Sequence, residues 1–265
     1  MKRKVLFLLV TGLIILAVTA CAAVSDDTAG KGEGKRTFTV GFDKDFPPFG
    51  FVDENGKYTG FDIELAQEAA KRLGWELKLQ PIAWTAKDME LSSGNIDCIW
   101  NGFTINGREN SYTWTEAYMA NRQVFVVRAD SGIKTLDDLN GKVVTVQEES
   151  SAEAALKDRP DLVESFGQLI KAPDYNTALM DLEAGAVDAV AMDETVAMYQ
   201  IEKRGLKFTI LEETLAEELY GVGFLLGNEE LRDTIQNVLE EMAKDGTLAE
   251  ISTRWFGKDV TIIGK

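Results

Sequence analysis

Histidine is absent from the 265 residues, and cysteine occurs only twice. Imidazole acid–base chemistry, Ser-His-Asp and Cys-His pairings and His-based metal sites are thereby excluded. Two thiols do not make a four-cysteine zinc site. Any reaction would have to lean on carboxylates, Lys or Tyr, so a binding role gains weight over an enzymatic one; no cofactor and no metal are expected. Asp and Glu number 44 against 28 Lys and Arg, a formal charge of -16. That balance opposes a nucleic-acid partner, whose phosphates call for a basic surplus. The run GKGEG (30–34) imitates a dinucleotide loop, but no strand precedes it and no apolar helix follows. Taken singly, the polar candidates are bland. Arg108, between Gly107 and Glu109, reads as a solvated loop residue, Asp193 as the N-cap of a following helix, and Ser151 as a helix cap.

The elements that must position such residues alternate between strand and helix. Residues 37–41 alternate as a strand does. Phe61, Leu65, Ala69 and Leu73 fall at four-residue spacing, with Gly74 where a C′ glycine belongs, which predicts a helix over 61–73. Strands are expected over 76–80, 96–100, 123–127, 142–147, 187–192, 208–211 and 220–226. Helices are expected over 87–93, 151–157, 177–184, 195–203, 229–244 and 248–255. The alternation implies an α/β protein with a mostly parallel sheet.

The N-terminus reads as a targeting segment. Lys2, Arg3 and Lys4 precede a short apolar run, and small residues precede Cys21. This describes a signal peptide over 1–20. The Cys after small residues resembles a bacterial lipobox, in which that Cys carries a diacylglycerol; palmitate-type acyl chains would then hold the protein at the outer face of the cell membrane. Residues 21–36, polar and Gly-rich, form a flexible tether.

Five ordered blocks resemble the polar amino-acid solute-binding proteins of bacterial ABC importers, family 3. They are GFDKDFPPF (41–49) with TGFDIELA (59–66), GNIDCIWNGFT (94–104) with Arg108, LDDLNGKVVTV (136–146), GAVDAVAMD (185–193) and YGVGF (220–224). The resemblance implies a two-lobe periplasmic-binding-protein clamshell, each lobe a mostly parallel sheet with flanking helices. One lobe would comprise 37–126 plus 221–265 and the other 127–220, with crossing strands near 124–128 and 218–223 as the hinge. It further implies a monomer that binds an amino acid outside the cytoplasm and delivers it to a membrane permease. On the same fold, an exported cyclohexadienyl dehydratase-like enzyme or a ligand-sensing receptor domain is the alternative.

A free amino acid is a zwitterion, and burying both charges unpartnered costs several kcal/mol per ion. On this resemblance Arg108 meets the carboxylate in bidentate geometry. The Thr104 hydroxyl and N–H groups near Gly102 and Thr104 add donors, and Ser150 and Ser151 add more from the opposite lobe. Asp193 meets the ammonium, with Asp43 as a second acid. Phe46 packs on the ligand; Trp84 and Asn101 are further contacts, whereas Trp100 reads as core. Two departures stand out. The family has five positions from its Thr/Ser to the Arg, and here Thr104 to Arg108 is four. Glu149 stands where the family has Gly, and reads as a surface residue that adds negative charge near the cleft.

Overall fold

The structure is a computed structural model and describes residues 35–265. The segment expected to be a signal peptide (1–20), Cys21 and nearly all of the expected tether lie outside the described residues. The chain order begins β1 (Thr37–Phe42), β2 (Asp45–Phe46), β3 (Gly50–Val52), β4 (Tyr58–Thr59), α1 (Phe61–Leu73), β5 (Glu76–Pro81) and α2 (Lys87–Ser92). Then come β6 (Cys98–Thr104), β7 (Thr113–Trp114), β8 (Met119–Arg128), β9 (Val143–Gln147), α3 (Ser151–Lys157), α4 (Pro160–Ser165) and β10 (Gln168–Ala172). The chain closes with α5 (Tyr175–Ala184), β11 (Ala189–Asp193), α6 (Glu194–Arg204), β12 (Phe208–Ile210), β13 (Ala216–Phe224), α7 (Glu229–Lys244) and α8 (Thr247–Phe256).

The helices form where the sequence pattern demands. In α1 the apolar face is buried, Asp62 and Glu64 occupy the first turn, and Lys71 and Arg72 the last, which suits the helix dipole. Gly74 ends it in the left-handed conformation, its N–H returning to the last carbonyls. In α7, Leu231, Ile235, Val238, Leu239 and Met242 make one buried stripe. Between 157 and 177 the structure has α4 and β10, where no element was expected. Proline at the first position of α4 is compatible with a helix start.

The main sheet runs in the order β10-β9-β11-β8-β13-β6-β1-β5, with β12 and β7 paired at its side. Each flank is a parallel set: β1 pairs with β5 and β6, and β9 with β10 and β11. Two long antiparallel strands join the flanks. Met119–Gln123 of β8 pair with β13 and Gln123–Val127 with β11; β13 in turn leaves β8 at Tyr220 and continues along β6. Gln123 and Tyr220 therefore mark the points where the chain passes from one flank to the other. The strand over β13 begins at Ala216, four residues before the expected start, because Glu217 and Glu218 disguise it. Glu218 faces inward and is buried.

Beneath β6 lies a fully buried acid. Asp62 Oδ2 accepts the Gly102 N–H at 2.6 Å and the Tyr118 hydroxyl at 2.8 Å. Burial outweighs these bonds and pushes its pKa up to about 7. The folded state thus holds a proton that the unfolded chain releases near pH 4, so this group costs stability as pH rises from about 4 to about 7. Asp62→Asn keeps an acceptor for both donors. Denaturant unfolding of variant and wild type across that range should show the variant gaining, by about 1.4 kcal/mol for each unit of the shift; parallel curves would contradict a proton held at Asp62.

Candidate functional site

Asp43 directly follows β1, Thr104 ends β6, Gln147 ends β9 and Asp193 ends β11. All four line one cavity of about 290 Å³, beyond the C-terminal ends of the parallel strands. Phe46, Trp84, Asn101, Gly102, Arg108, Ser150 and Ser151 complete its wall. Every ligand-binding candidate named from the sequence is thus brought to one place; Trp100 is buried in the core instead. Gln147 is an additional wall residue.

Arg108 sits on a tight turn. Its N–H bonds the Ile105 carbonyl at 2.8 Å, Gly107 takes φ of 76°, and its own carbonyl accepts the Trp114 indole N–H at 3.0 Å. The four-residue spacing from Thr104 is closed in this way. The guanidinium lies over the Phe103 ring at 5.3 Å and donates to the carbonyls of Thr104 and Glu149, both at 3.3 Å. Among the described residues, no carboxylate lies within ion-pair distance of it.

Asp193 is the opposite case. It stands at the N-cap of α6, yet its side chain makes no cap bond; Asn121 Oδ1 serves the Thr195 N–H in its stead. Asp193 Oδ1 accepts from Gln123 at 2.9 Å, from Asn121 at 3.2 Å and from the Tyr220 hydroxyl. The same two amides reach Glu218 Oε1 at 2.7 and 2.6 Å. Two buried carboxylates therefore share one set of donors. Burial first, and then the charge of Glu218, hold the Asp193 pKa well above the usual carboxylate range. Among the described residues no Lys or Arg pairs with Asp193.

Two expected donors are otherwise engaged. The Gly102 N–H is spent on Asp62. The contribution of Gly102 is its backbone, with φ of 54° and no side chain: a Cβ there would stand 3.0 Å from the Phe46 ring. The Thr104 hydroxyl donates to Glu218 Oε2 at 2.8 Å and so offers the cavity lone pairs rather than a proton. The Thr104 N–H is different. Thr104 faces Tyr220 while Ile105 bonds Leu219, so Thr104 holds the position whose N–H turns away from β13.

Asp43 closes the other end of the wall. Its oxygens accept the Asp45 N–H and the Gln147 amide, each at 2.9 Å, and the Asp43 N–H donates to Asn101 Oδ1 at 2.8 Å. Burial outweighs these bonds and raises its pKa to about 6. The Asn101 amide nitrogen is buried and has no acceptor among the described residues. Ser150 Oγ caps α3 by accepting the Glu153 N–H at 3.1 Å, while Ser151 Oγ accepts from Gln123 at 2.9 Å. The cap of α3 is therefore Ser150. Phe46 stacks on Phe49 at 5.6 Å, and the Trp84 indole N–H reaches across to the Glu149 carbonyl at 3.2 Å.

Sequence reasoning missed Gln147, Gln123, Asn121, Glu218 and Tyr220. A signal existed for Gln123, a lone amide opening an apolar run that the structure buries completely. None existed for Glu218, whose burial depends on the pairing of β13.

A sequence model of the bacterial extracellular solute-binding proteins, family 3, matches residues 38–258. The chain belongs to this family. The L-cystine-binding protein TcyJ of Escherichia coli is 33% identical over 94% of the chain and 95% of its own length. An ABC uptake transporter substrate-binding protein from Streptococcus pneumoniae, solved with bound histidine, superposes with a TM-score of 0.82 at 34% identity, covering 85% of this chain and 94% of that one. An ancestral amino acid-binding protein, a precursor of cyclohexadienyl dehydratase, gives a TM-score of 0.76 at 31% identity over 83% of this chain and 95% of that one. Membership makes this an extracytoplasmic solute-binding protein with the clamshell fold. Among the described residues no helix is long and apolar enough to cross a membrane.

Proposed function

We propose that the protein captures a free polar amino acid outside the cytoplasm and presents it to the permease of an ABC importer. One observation carries this reading. A guanidinium without a carboxylate and a buried carboxylate without a cation among the described residues line the same cavity, Arg108 from the flank of β6 and Asp193 from the flank of β11. An α-amino acid supplies both missing partners at once.

In this arrangement the ligand carboxylate takes the guanidinium, the Thr104 N–H and the hydroxyl protons of Ser150 and Ser151. The ammonium donates to Asp193 and to the Thr104 oxygen, whose lone pairs are free because its proton is committed to Glu218. Phe46 and Trp84 flank the side chain, and Asp43, Gln147 and Asn101 give its end polar partners. Residues 37–126 with 221–265 act as one lobe and 127–220 as the other, hinging where β8 and β13 cross. Contacts from both lobes make the closed state the better binder, so ligand shifts the population toward it. The protein works as a monomer, held at the membrane by a diacylglycerol on Cys21 once residues 1–20 are removed. We read it as a binding protein rather than an enzyme; turnover of arogenate or prephenate by the purified protein would overturn that part.

A thermal-shift screen with the common amino acids and cystine, followed by calorimetry on the best hit, tests the assignment. At least one should raise the melting temperature, and none doing so would contradict the reading. Arg108→Ala and Asp193→Ala should each weaken that binding by about 2 kcal/mol or more, and wild-type affinity in both would place the ligand elsewhere.

A pH series adds a sign. Protonation of Asp193 removes the charge that the ammonium seeks, so affinity should fall as pH drops through its raised titration range, by up to about tenfold per unit. Glu218→Gln removes the neighbouring charge that raises Asp193 and should move this fall to lower pH. An affinity rising toward acid would contradict the assignment of the ammonium pole.

A further inference from the structure

Apart from glycines, Glu149 alone among the described residues has a positive φ, 57°. The left-handed turn is preset by its own flank. The Glu149 N–H donates to Glu153 Oε2 at 2.6 Å, and the Glu153 carboxylate is itself held by Lys157 at 2.9 Å and Lys171 at 3.0 Å. So fixed, Glu149 turns both its acceptors toward the opposite flank. Its carbonyl receives the Trp84 indole at 3.2 Å and the Arg108 guanidinium at 3.3 Å. Its carboxylate pairs with Lys87 Nζ at 2.7 Å.

Lys87 makes the arrangement consequential. Its side chain is only 4% exposed, and Glu149 is its one ion-pair partner among the described residues. Its other polar partners among the described residues are the Trp84 carbonyl at 3.4 Å and the face of the Trp84 ring at 5.4 Å. An ammonium this enclosed needs a counter-charge, and that charge comes from across the cleft. Parting the flanks would strip Lys87 of its carboxylate and the Glu149 carbonyl of two donors.

We infer that Glu149 is a cross-cleft latch and positioning residue: its ion pair with Lys87 holds the flanks together before any ligand arrives, and its carbonyl sets Trp84 and Arg108 at the cavity wall. A share of the closure is thereby supplied by the protein rather than by the ligand. A glycine in this position keeps the turn and the carbonyl but loses the ion pair. The inference rests on the reading of the two flanks as jaws, but not on which solute they grip.

Hydrogen–deuterium exchange of the full, ligand-free chain reads the latch directly, because it reports transient opening. Glu149→Gln and Glu149→Gly, which leave the enclosed ammonium unpaired, should speed exchange in 84–92 and 147–157 by about fivefold or more, and Lys87→Met, which leaves only the half-exposed Glu149 unpaired, by less, while α7 exchanges unchanged. Lys87→Met combined with Glu149→Gln should add nothing further. The charge-swapped pair, Lys87→Glu with Glu149→Lys, should recover part of the protection. Raising salt to about 0.5 M should speed exchange in the wild type and not in Glu149→Gln. Exchange in 84–92 that ignores all three single substitutions, or a charge swap that behaves as the sum of two losses, would overturn the latch. A failed amino-acid screen would overturn the assigned ligand and leave this result standing.

Discussion

The organising constraint is a separation of charge that the protein maintains against its own chemistry. With 44 acidic side chains in the sequence, an internal partner for Arg108 would be easy to supply, yet its guanidinium is given only carbonyls and the face of an aromatic ring. Asp193 is surrounded by amides and a phenol and has a second carboxylate for a neighbour. Pairing either group internally would stabilise the fold and fill the cavity's purpose in advance. Leaving both unpaired stores an electrostatic deficit, which under the proposed function one molecule with two opposite poles would relieve.

The supports of the acidic pole coincide with the places where the chain changes flank. Gln123 and Tyr220, both donors to Asp193, are the residues at which β8 and β13 exchange partners. Glu218, which shares those amides, also takes the Thr104 hydroxyl from β6. One polar network therefore ties the end of β6, the two crossing strands and the end of β11. A change of charge at Asp193 acts on the strands where the chain changes flank, and under the proposed function this would link occupancy of the cavity to the geometry of the cleft.

Much of this was legible in the sequence, because the residues that line the cavity sit at or shortly beyond strand ends, inside short motifs that survive as contiguous runs. Asp43, Thr104, Arg108 and Asp193 were found in that way, and the strand–helix alternation announced the α/β class. The residues that orient them were not found, for a common physical reason: their roles come from pairing between distant segments. Glu218 looks like a surface acid until β13 is extended back to Ala216 and laid against β8. Gly102 was expected to offer its N–H to a ligand, but Asp62, some forty positions earlier, takes it. Glu149 was read as a surface acid; its side chain is half exposed, but it grips Lys87 from the opposite flank.

The most direct measurement is a crystal structure of the protein with an amino acid bound. The ligand's carboxylate should lie against the Arg108 guanidinium and its ammonium against the Asp193 carboxylate and the Thr104 oxygen. A ligand whose carboxylate lies at any other group, or a cleft filled by a sugar or a metal with Arg108 and Asp193 turned away, would contradict this placement.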